Sequence, residues 1–297
     1  MTGVQTCALP IFAALPPFTF AHVAWVALTP LPYIYVVARI LNDRLGVLLA
    51  LAFPALLANA MIGQNGCLTA ALIGGALIAL ERGRPVLAGC LIGLLTYKPH
   101  FGVLFPLALI CASQWRAFAS AAATTAALAV VSALVLGADA WTGFADALMT
   151  ANRNVFGNGT ADYAKMQSIF TTVRALGGGV TLAWMIHGTA AALMSAWVFV
   201  AWRGQTSFAL KAAILSVGAV VCAPHAYMHD LVVLAVPAAF LLRDGRERGF
   251  LRYELAALAG ACLLLLSFPL FKAPLGLGAT LIVAALIARR WIFAAHR

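Results

Sequence analysis

The sequence predicts an all-α protein, a polytopic transmembrane helical bundle of about ten or eleven spans. Hydrophobic residues occupy 64% of the 297 positions and charged residues only 9%, whereas a soluble domain carries about 25% charged residues. Charged and turn residues divide the chain into apolar runs, and a helix needs about 20 apolar residues to cross a membrane. This composition leaves no room for a soluble nucleotide-binding or hydrolase domain.

Eleven apolar runs are candidate spans. In chain order they are Phe18–Ile40, Leu45–Met61, Asn65–Leu80, Pro85–Tyr97, Phe101–Ser113, Ala117–Leu136, Gly179–Trp202, Phe208–Cys222, Leu231–Leu242, Leu251–Phe268 and Leu275–Ile287. Several are shorter than about 17 residues, the lower limit for a simple span. The fourth and fifth runs are therefore also compatible with a re-entrant pair, which enters and leaves the membrane on one side.

The first eleven residues differ in character from the rest of the chain. The segment MTGVQTCALPI lacks the basic start and the cleavage site of a signal peptide, and it resembles the translation of a sequencing-adapter oligonucleotide. We expect residues 1–11 to be an artefact and the native chain to extend upstream of Phe12. Residues 12–297 are then expected to form a single transmembrane domain, with residues 137–178 as an extracytoplasmic connection.

The basic residues predict the orientation, because short loops rich in Lys and Arg remain cytoplasmic. With the turn Glu81-Arg-Gly-Arg84 inside, strict alternation of eleven spans places 14 of the 19 basic residues on that side. The other five are Lys98, Arg153, Lys165, Arg174 and Lys272. We interpret the inner residues as topology determinants at headgroup depth, and we expect a multi-pass protein of the bacterial cytoplasmic membrane.

The net charge could suggest nucleic-acid binding, and the cysteine content could suggest disulfides or a metal site. The residue pattern supports neither. The formal charge is +10 at pH 7, but the basic residues are scattered singly between apolar runs, so nucleic acid is not an expected partner. The six cysteines show no CxxC or Cys/His spacing. We therefore expect neither disulfides nor a bound metal.

The first polar motif of the outer side is Gly63-Gln64-Asn65-Gly66, which lies between two uncharged apolar runs. One interpretation is a tight turn in which Asn65 caps the following helix, because Asn-Gly favours a positive φ. The other is that Gln64 and Asn65 present amide groups to a sugar or a phosphate at the membrane surface.

The second motif is Thr96-Tyr-Lys98-Pro-His100, between two apolar runs. A charge close to hydrocarbon costs several kcal/mol on most estimates, so such residues are usually functional. A lysine that snorkels to the interface beside Tyr97 is the alternative. With His100 two residues later, Lys98 predicts a compact cationic site suited to a phosphate or pyrophosphate.

The third motif is Pro224-His225-Ala-Tyr227-Met-His229-Asp230. Asp230 is placed to cap the following helix, but capping does not account for His225, Tyr227 and His229. The spacing matches no known helical zinc motif. We therefore expect these side chains to contact a substrate, with one of them assisting proton movement near neutral pH.

The connection of residues 137–178 contains Trp141, Phe144, Arg153 and the segment Gln167-Ser-Ile-Phe170. Long connections in compact proteins are usually functional lids or disordered, and the aromatic residues argue against disorder. We interpret the connection as one or two helices that lie on the outer surface over the site.

Taken together, the motifs resemble glycosyltransferase family 87, whose members are polytopic enzymes of the type C glycosyltransferase superfamily. The resemblance extends over roughly Pro16 to Phe240. It is carried by Gly63-Gln-Asn-Gly66, Leu68-Thr-Ala-Ala-Leu72, Leu87-Ala-Gly89, Leu94-Leu-Thr-Tyr-Lys-Pro99 and Pro224-His225 with Tyr227 and Asp230.

The resemblance implies transfer of a hexose, typically mannose, from a polyprenyl-phosphate donor to a glycolipid or glycan acceptor outside the cytoplasmic membrane. It implies no cofactor. Family members also place a catalytic acidic residue in the first outer loop, but this chain begins near Leu15-Pro-Pro17, which resembles the segment just after that loop. No catalytic base is therefore assigned, and we expect this chain alone to be inactive.

The expected mechanism is inversion at the anomeric carbon with polyprenyl phosphate as the leaving group. Lys98, His100 and Arg153 would stabilise that phosphate. The residues expected to orient sugar and acceptor are Gln64, Asn65, His225, Tyr227, His229 and Asp230. Two alternatives are a transporter or flippase of a lipid-linked or anionic substrate, which should carry mid-membrane charges and internal repeats, and an assembly subunit without chemistry.

Overall fold

The computed structural model describes residues 18–153, 165–271 and 273–295. Within these ranges the chain is helical and contains no strand; an isolated bridge pairs Met166 with Tyr227. The all-α prediction is therefore confirmed. The predictions for residues 1–11 and for Lys272 lie outside the described residues.

The helices fall into two groups along the chain. Those before residue 112 are α1 (Phe18–Leu28), α2 (Pro30–Leu41), α3 (Leu45–Ala52), α4 (Pro54–Ile62), α5 (Gly66–Glu81), α6 (Pro85–Gly93), α7 (Pro99–Gly102) and α8 (Phe105–Cys111). Those after it are α9 (Trp115–Leu136), α10 (Ala138–Asn152), α11 (Ile169–Ala175), α12 (Val180–Arg203), α13 (Phe208–Val221), α14 (Ala235–Arg248), α15 (Glu254–Ser267) and α16 (Leu275–Ala295). Two 3₁₀ helices, Leu94–Tyr97 and Met228–Leu234, precede α7 and α14.

Four described helical segments are long and apolar enough to cross a membrane. They are His22–Leu41, Trp115–Leu136, Val180–Arg203 and Leu275–Ala294. A fifth span is formed if α3 and α4, which are bent by 57° at Pro54, count as one, and the bend follows from the proline because its ring cannot continue a straight helix. The remaining apolar helices have 10–17 residues. A multi-pass helical membrane protein is confirmed, and the count of eleven spans stays a prediction.

Helices α5 and α13 form the centre of the bundle. Most residues of both helices are buried, 12 of 16 in α5 and 12 of 14 in α13, and both helices are largely apolar, as expected for a helix surrounded by others. Helix α5 contacts α2, α6 and the 3₁₀ helix Met228–Leu234. The start of α5 and the end of α13 are adjacent to the first and third polar motifs, so the core positions both motifs.

The fourth and fifth apolar runs are interrupted. Residues 85–111 form α6, a 3₁₀ turn, the four-residue α7 and then α8. Pro99 disfavours the helical conformation of the preceding residue, and Lys98 accordingly has φ −135° and ψ 70°. The break places Lys98 on irregular backbone inside the protein, as the re-entrant alternative allows, where such backbone is tolerated at membrane depth.

Helix α6 packs closely on α9 through two glycines. A Cβ atom at Gly93 would lie 2.6 Å from Cβ of Thr124, and one at Gly89 would overlap the carbonyl oxygen of Ala117. Small residues four positions apart permit such close approach between helices in a membrane. The other sides of α9 are mostly exposed, so this seam carries much of its attachment.

We expect Gly93→Leu to destabilise the protein by about 1–3 kcal/mol or more, because the added side chain forces α9 away from α6. Gly188→Leu is the matched control, since a Cβ atom at Gly188 meets nothing within 4 Å. Thermal unfolding in detergent measures both. Equal melting temperatures for the two variants would show that the seam contributes little.

The basic side of the bundle contains a buried ionic cluster. Arg290 of α16 is 4% exposed and donates hydrogen bonds to Glu254 of α15, to Asp244 of α14 at 3.0 Å and to the carbonyl of Gly249 at 3.1 Å. Asp244 also accepts from Ser207 at 3.0 Å. The interpretation of the inner basic residues as topology determinants stays a prediction. Arg290 has a structural role in addition, because its guanidinium joins α14, α15 and α16.

Candidate functional site

The first and third motifs are in direct contact. Gly66 is the first residue of α5, and its amide donates to Oδ1 of Asn59 at 2.8 Å. A Cβ atom at Gly66 would overlap the carbonyl oxygen of His229. Only glycine permits this approach, which brings the turn of residues 63–66 against the loop of residues 224–230.

The second motif joins the third through a buried ion pair. Nζ of Lys98 lies 2.5 Å from Oδ1 of Asp230, across 132 residues of sequence. Lys98 is 7% exposed and Asp230 is 3% exposed. The other carboxylate oxygen, Oδ2, accepts from the backbone amide of Tyr227 at 3.0 Å. Asp230 therefore caps the 3₁₀ helix that begins at Met228 and also holds Lys98.

Asp230 remains a carboxylate in this position. Burial by itself would raise its pKa, but the Lys98 ammonium, His229 and the Tyr227 amide favour the charged form and lower the pKa to about 2. The pair adds no net charge to the site. An ammonium group has three donors, so Lys98 retains donors for a ligand.

Three histidines surround the ion pair. The rings of His100 and His225 have centroids 4.6 Å apart, and His229 stacks on Tyr227 with a centroid distance of 5.4 Å. Nε2 of His229 lies 3.7 Å from Oδ1 of Asp230. Burial lowers the pKa of all three imidazoles, to about 3 for His100, where His225 contributes as well. All three are neutral at pH 7.

We expect acid to destabilise this cluster before it protonates Asp230. A histidine with a lowered pKa binds fewer protons in the folded state than in the unfolded state, so stability is lost as pH falls below about 6.5. For His100 alone the loss is on the order of 2 kcal/mol at pH 5. Melting temperatures of the protein and of His100→Gln between pH 7.5 and 5 measure it. A variant as acid-sensitive as the parent would contradict the assignment to His100.

A chain of hydroxyl groups links the first and second motifs. The hydroxyl of Thr69 donates to the carbonyl of Asn65 at 3.1 Å and lies 2.6 Å from the Tyr97 hydroxyl. Asn65 is 2% exposed, and its Oδ1 is buried without a hydrogen-bond partner among the described residues, as is Nε2 of His100. Buried polar atoms normally have a partner, so both are placed to meet a ligand or a water molecule. Gln64, which precedes Asn65 in the sequence, is half-buried.

Sequence reasoning missed Gln167 and Ser168 as parts of this region. The backbone amide of Gln167 donates to the carbonyl of Ala226 at 2.7 Å, and Oγ of Ser168 donates to the carbonyl of Pro224 at 2.5 Å. Oε1 of Gln167 accepts from the amide of Gly276 at 2.7 Å. These bonds fasten the end of the 137–178 connection to the third motif. The one available signal was the Ser168 N-cap of α11, which indicates a helix start and no tertiary contact.

His187 was also missed. Its lone position on an apolar helix predicts a packed residue, and it is indeed 3% exposed, with its ring 5.9 Å from that of Trp184. It also lies close enough to His225 to contribute to the lowered pKa of that residue. No spacing in the sequence relates positions 187 and 225.

Arg153 makes no hydrogen bond or ion pair with the cluster among the residues that the structure describes. It is exposed and follows directly after α10, whose described side chains are also exposed. Helix α10 contacts the end of α9. The position of a lid over the site depends partly on residues 154–164, which lie outside the described residues, so the lid and the role of Arg153 stay predictions.

The described side chains offer no metal-binding arrangement of three or more His, Cys, Asp or Glu residues. What the three motifs offer together is a buried ammonium, neutral imidazoles, an amide and two hydroxyls. Such a set can bind a phosphate through charge-assisted hydrogen bonds and sugar hydroxyls through neutral ones.

One comparison with known proteins identifies a family that the chain matches. A family model, glycosyltransferase family 87, matches residues 6–224, which is 219 of the 297 positions. The match includes the first two motifs and ends at Pro224, just before His225. No curated protein and no solved structure matches the chain.

Proposed function

The chain belongs to glycosyltransferase family 87, a family of membrane glycosyltransferases, and on that premise we propose that it transfers a hexose, mannose in the first instance, from a polyprenyl-phosphate donor. The proposed acceptor is a glycolipid or glycan outside the cytoplasmic membrane of a bacterium. The proposed partners are thus two lipid-borne or membrane-proximal substrates, and no cofactor takes part.

The observation that carries this proposal is the Lys98–Asp230 pair at the meeting point of the three motifs. The pair is buried and flanked by histidines that are neutral at pH 7. Under the predicted topology the pair lies on the side of the membrane that carries only five of the 19 basic residues. Because basic loops remain cytoplasmic, this supports a site on the outer face. The Lys98 ammonium retains hydrogen-bond donors for a phosphate group, which is costly to bury near hydrocarbon without them.

In the proposed reaction the bond between the anomeric carbon and the phosphate oxygen breaks as the acceptor oxygen attacks. Lys98 and His100 donate hydrogen bonds to the phosphate as it gains charge, and Arg153 joins them if the connection closes. Asp230 holds the Lys98 ammonium in place. Gln64, Asn65, His225, Tyr227 and His229 orient sugar and acceptor.

We assign no catalytic base. Asp230 is unsuited to that role, because a carboxylate with a pKa of about 2 is a weak proton acceptor at neutral pH. The resemblance of the motifs implies an acidic residue in an outer loop that precedes Leu15-Pro-Pro17.

The test is sugar transfer in membranes that express the complete reading frame of the gene. Radiolabelled polyprenyl-phosphate mannose, polyprenyl-phosphate glucose and a nucleotide-activated mannose are supplied separately. We expect label in a lipid or glycan product with a polyprenyl-phosphate donor and none with the nucleotide donor. Label that crosses sealed vesicles without forming a new glycosidic bond would instead support a transporter.

A further inference from the structure

An apolar groove lies on the flank of the bundle, and its lining residues do not belong to the three motifs. It has a volume of about 290 Å³ and is lined by aliphatic side chains with one phenylalanine and one cysteine. Its floor is built from α2, α14 and α16 and includes Val37, Ala239 and Val283, which are at most 5% exposed. Alanines occupy many of the lining positions, so the small side chains create the hollow.

The groove opens sideways between α3 and α15. The rim residues Leu49 and Ala52 on one side, and Leu255 and Ala259 on the other, are exposed. In a protein that crosses a membrane, an apolar opening on the flank faces hydrocarbon, where water is absent. A hydrocarbon chain is therefore the ligand class that fits it.

The length of the groove matches one leaflet. Its lining along the Met228–Leu234 helix and α14 runs from Leu234 to Leu242, and the eight steps between these residues span about 12 Å along a helix axis. Half of a hydrocarbon core of about 30 Å is about 15 Å. The groove is thus long enough to hold most of one acyl chain.

A polar basin adjoins the groove at Leu41, which lines both. The basin has a volume of about 330 Å³ and contains Asp43, Arg243, Arg246 and Glu247. Arg246 pairs with Asp43 at 2.6 Å. Nε of Arg243 is buried without a hydrogen-bond partner in the described residues and lies 3.6 Å from the Glu247 carboxylate. Arg243 also pairs with Glu81, at the edge of the basin.

The charges of the basin indicate the headgroup. Two guanidinium groups and two carboxylates line it, and Glu81 adds a third carboxylate through Arg243. Each guanidinium of the basin already pairs with a carboxylate, so an anionic headgroup meets no unpaired cation among these residues. A headgroup that carries both a phosphate and a primary ammonium complements both signs, because guanidinium donates to phosphate and carboxylate accepts from ammonium.

We propose that the groove and the basin together bind one phosphatidylethanolamine-type phospholipid. One acyl chain occupies the groove, the phosphate contacts Arg243 and Arg246, and the ammonium contacts Asp43 or Glu247. The lining residues of the groove and the basin differ from those of the three motifs, and the proposal does not depend on the proposed glycosyl transfer.

The test is lipid retention by the complete protein, purified in detergent and analysed by native mass spectrometry. The protein is incubated with phosphatidylethanolamine, phosphatidylglycerol or phosphatidylcholine. We expect about one retained phosphatidylethanolamine per chain, with at least tenfold lower occupancy in Ala259→Phe, which fills the groove from its rim. Ala256→Phe is the matched control, because Ala256 is an exposed alanine of the same helix outside the groove.

Three results would overturn the proposal. Equal retention by the two α15 variants would show that the lipid binds elsewhere. Phosphatidylglycerol retained as well as phosphatidylethanolamine would refute the headgroup assignment. Displacement of the phospholipid by polyprenyl phosphate would assign the groove to the donor. If Ala259→Phe does not fold, Ala52→Phe on the opposite rim provides the same comparison.

Discussion

Replacement of Lys98 by methionine is expected to lower sugar transfer by about 100-fold or more, the loss typical of removing a donor that stabilises developing charge. It is also expected to destabilise the protein by about 3–5 kcal/mol, because removing one partner of a buried pair leaves the other charge uncompensated. Asp230, 3% exposed, is the charge left behind. Transfer from labelled polyprenyl-phosphate mannose, in membranes that express the complete reading frame, and thermal unfolding measure the two effects.

A double variant separates the two effects. In Lys98→Met with Asp230→Leu no charge remains unpaired, and apolar residues in place of a buried ion pair are often neutral or stabilising. We expect the double variant to recover the melting temperature while transfer stays low. Recovery of both would reduce Lys98 to a structural role, and near-normal transfer in the single variant would remove it from the reaction.

The architecture was predictable because composition alone restricts it. A chain with 9% charged residues cannot cover a soluble surface, and its apolar runs are too long for buried strands. Helix breaks were less predictable. The bend at Pro54 and the short helices around Pro99 depend on how neighbouring helices satisfy the freed backbone groups, and a run of apolar residues contains no information about those neighbours.

The site was predictable as a set of motifs but not as a set of contacts. Lys98 was recognised by its costly position near hydrocarbon, His225 and Asp230 by their place in a polar motif, and the structure brings them together. Their pairing across 132 residues depends on the packing of α5, α7 and α13. Gln167 and His187 were missed for the same reason, because each acquires its neighbours only through tertiary structure.

On the basic side of the protein, too, the contacts of Arg290 arise only through tertiary structure. Its sequence context, Arg289-Arg290 near the end of an apolar run, is that of a topology determinant, and position along the chain does not distinguish the two arginines. Arg290 is 4% exposed and contacts Asp244 and Glu254, each 1% exposed. Arg289 is exposed and donates to the carbonyl of Arg252 at 2.7 Å.

We expect Arg290→Met to destabilise the protein by about 3–5 kcal/mol, because two buried carboxylates lose their shared cation. In this variant Arg248, 3.3 Å from Asp244, still compensates the charge of Asp244. Glu254 is then left without its arginine partner. Arg289→Met removes the same charge from the same side and is expected to change stability by no more than about 0.5 kcal/mol. Thermal unfolding in detergent compares the two variants. Equal effects would mean that both arginines act only through topology, whereas a large difference assigns to Arg290 the joining of α14, α15 and α16.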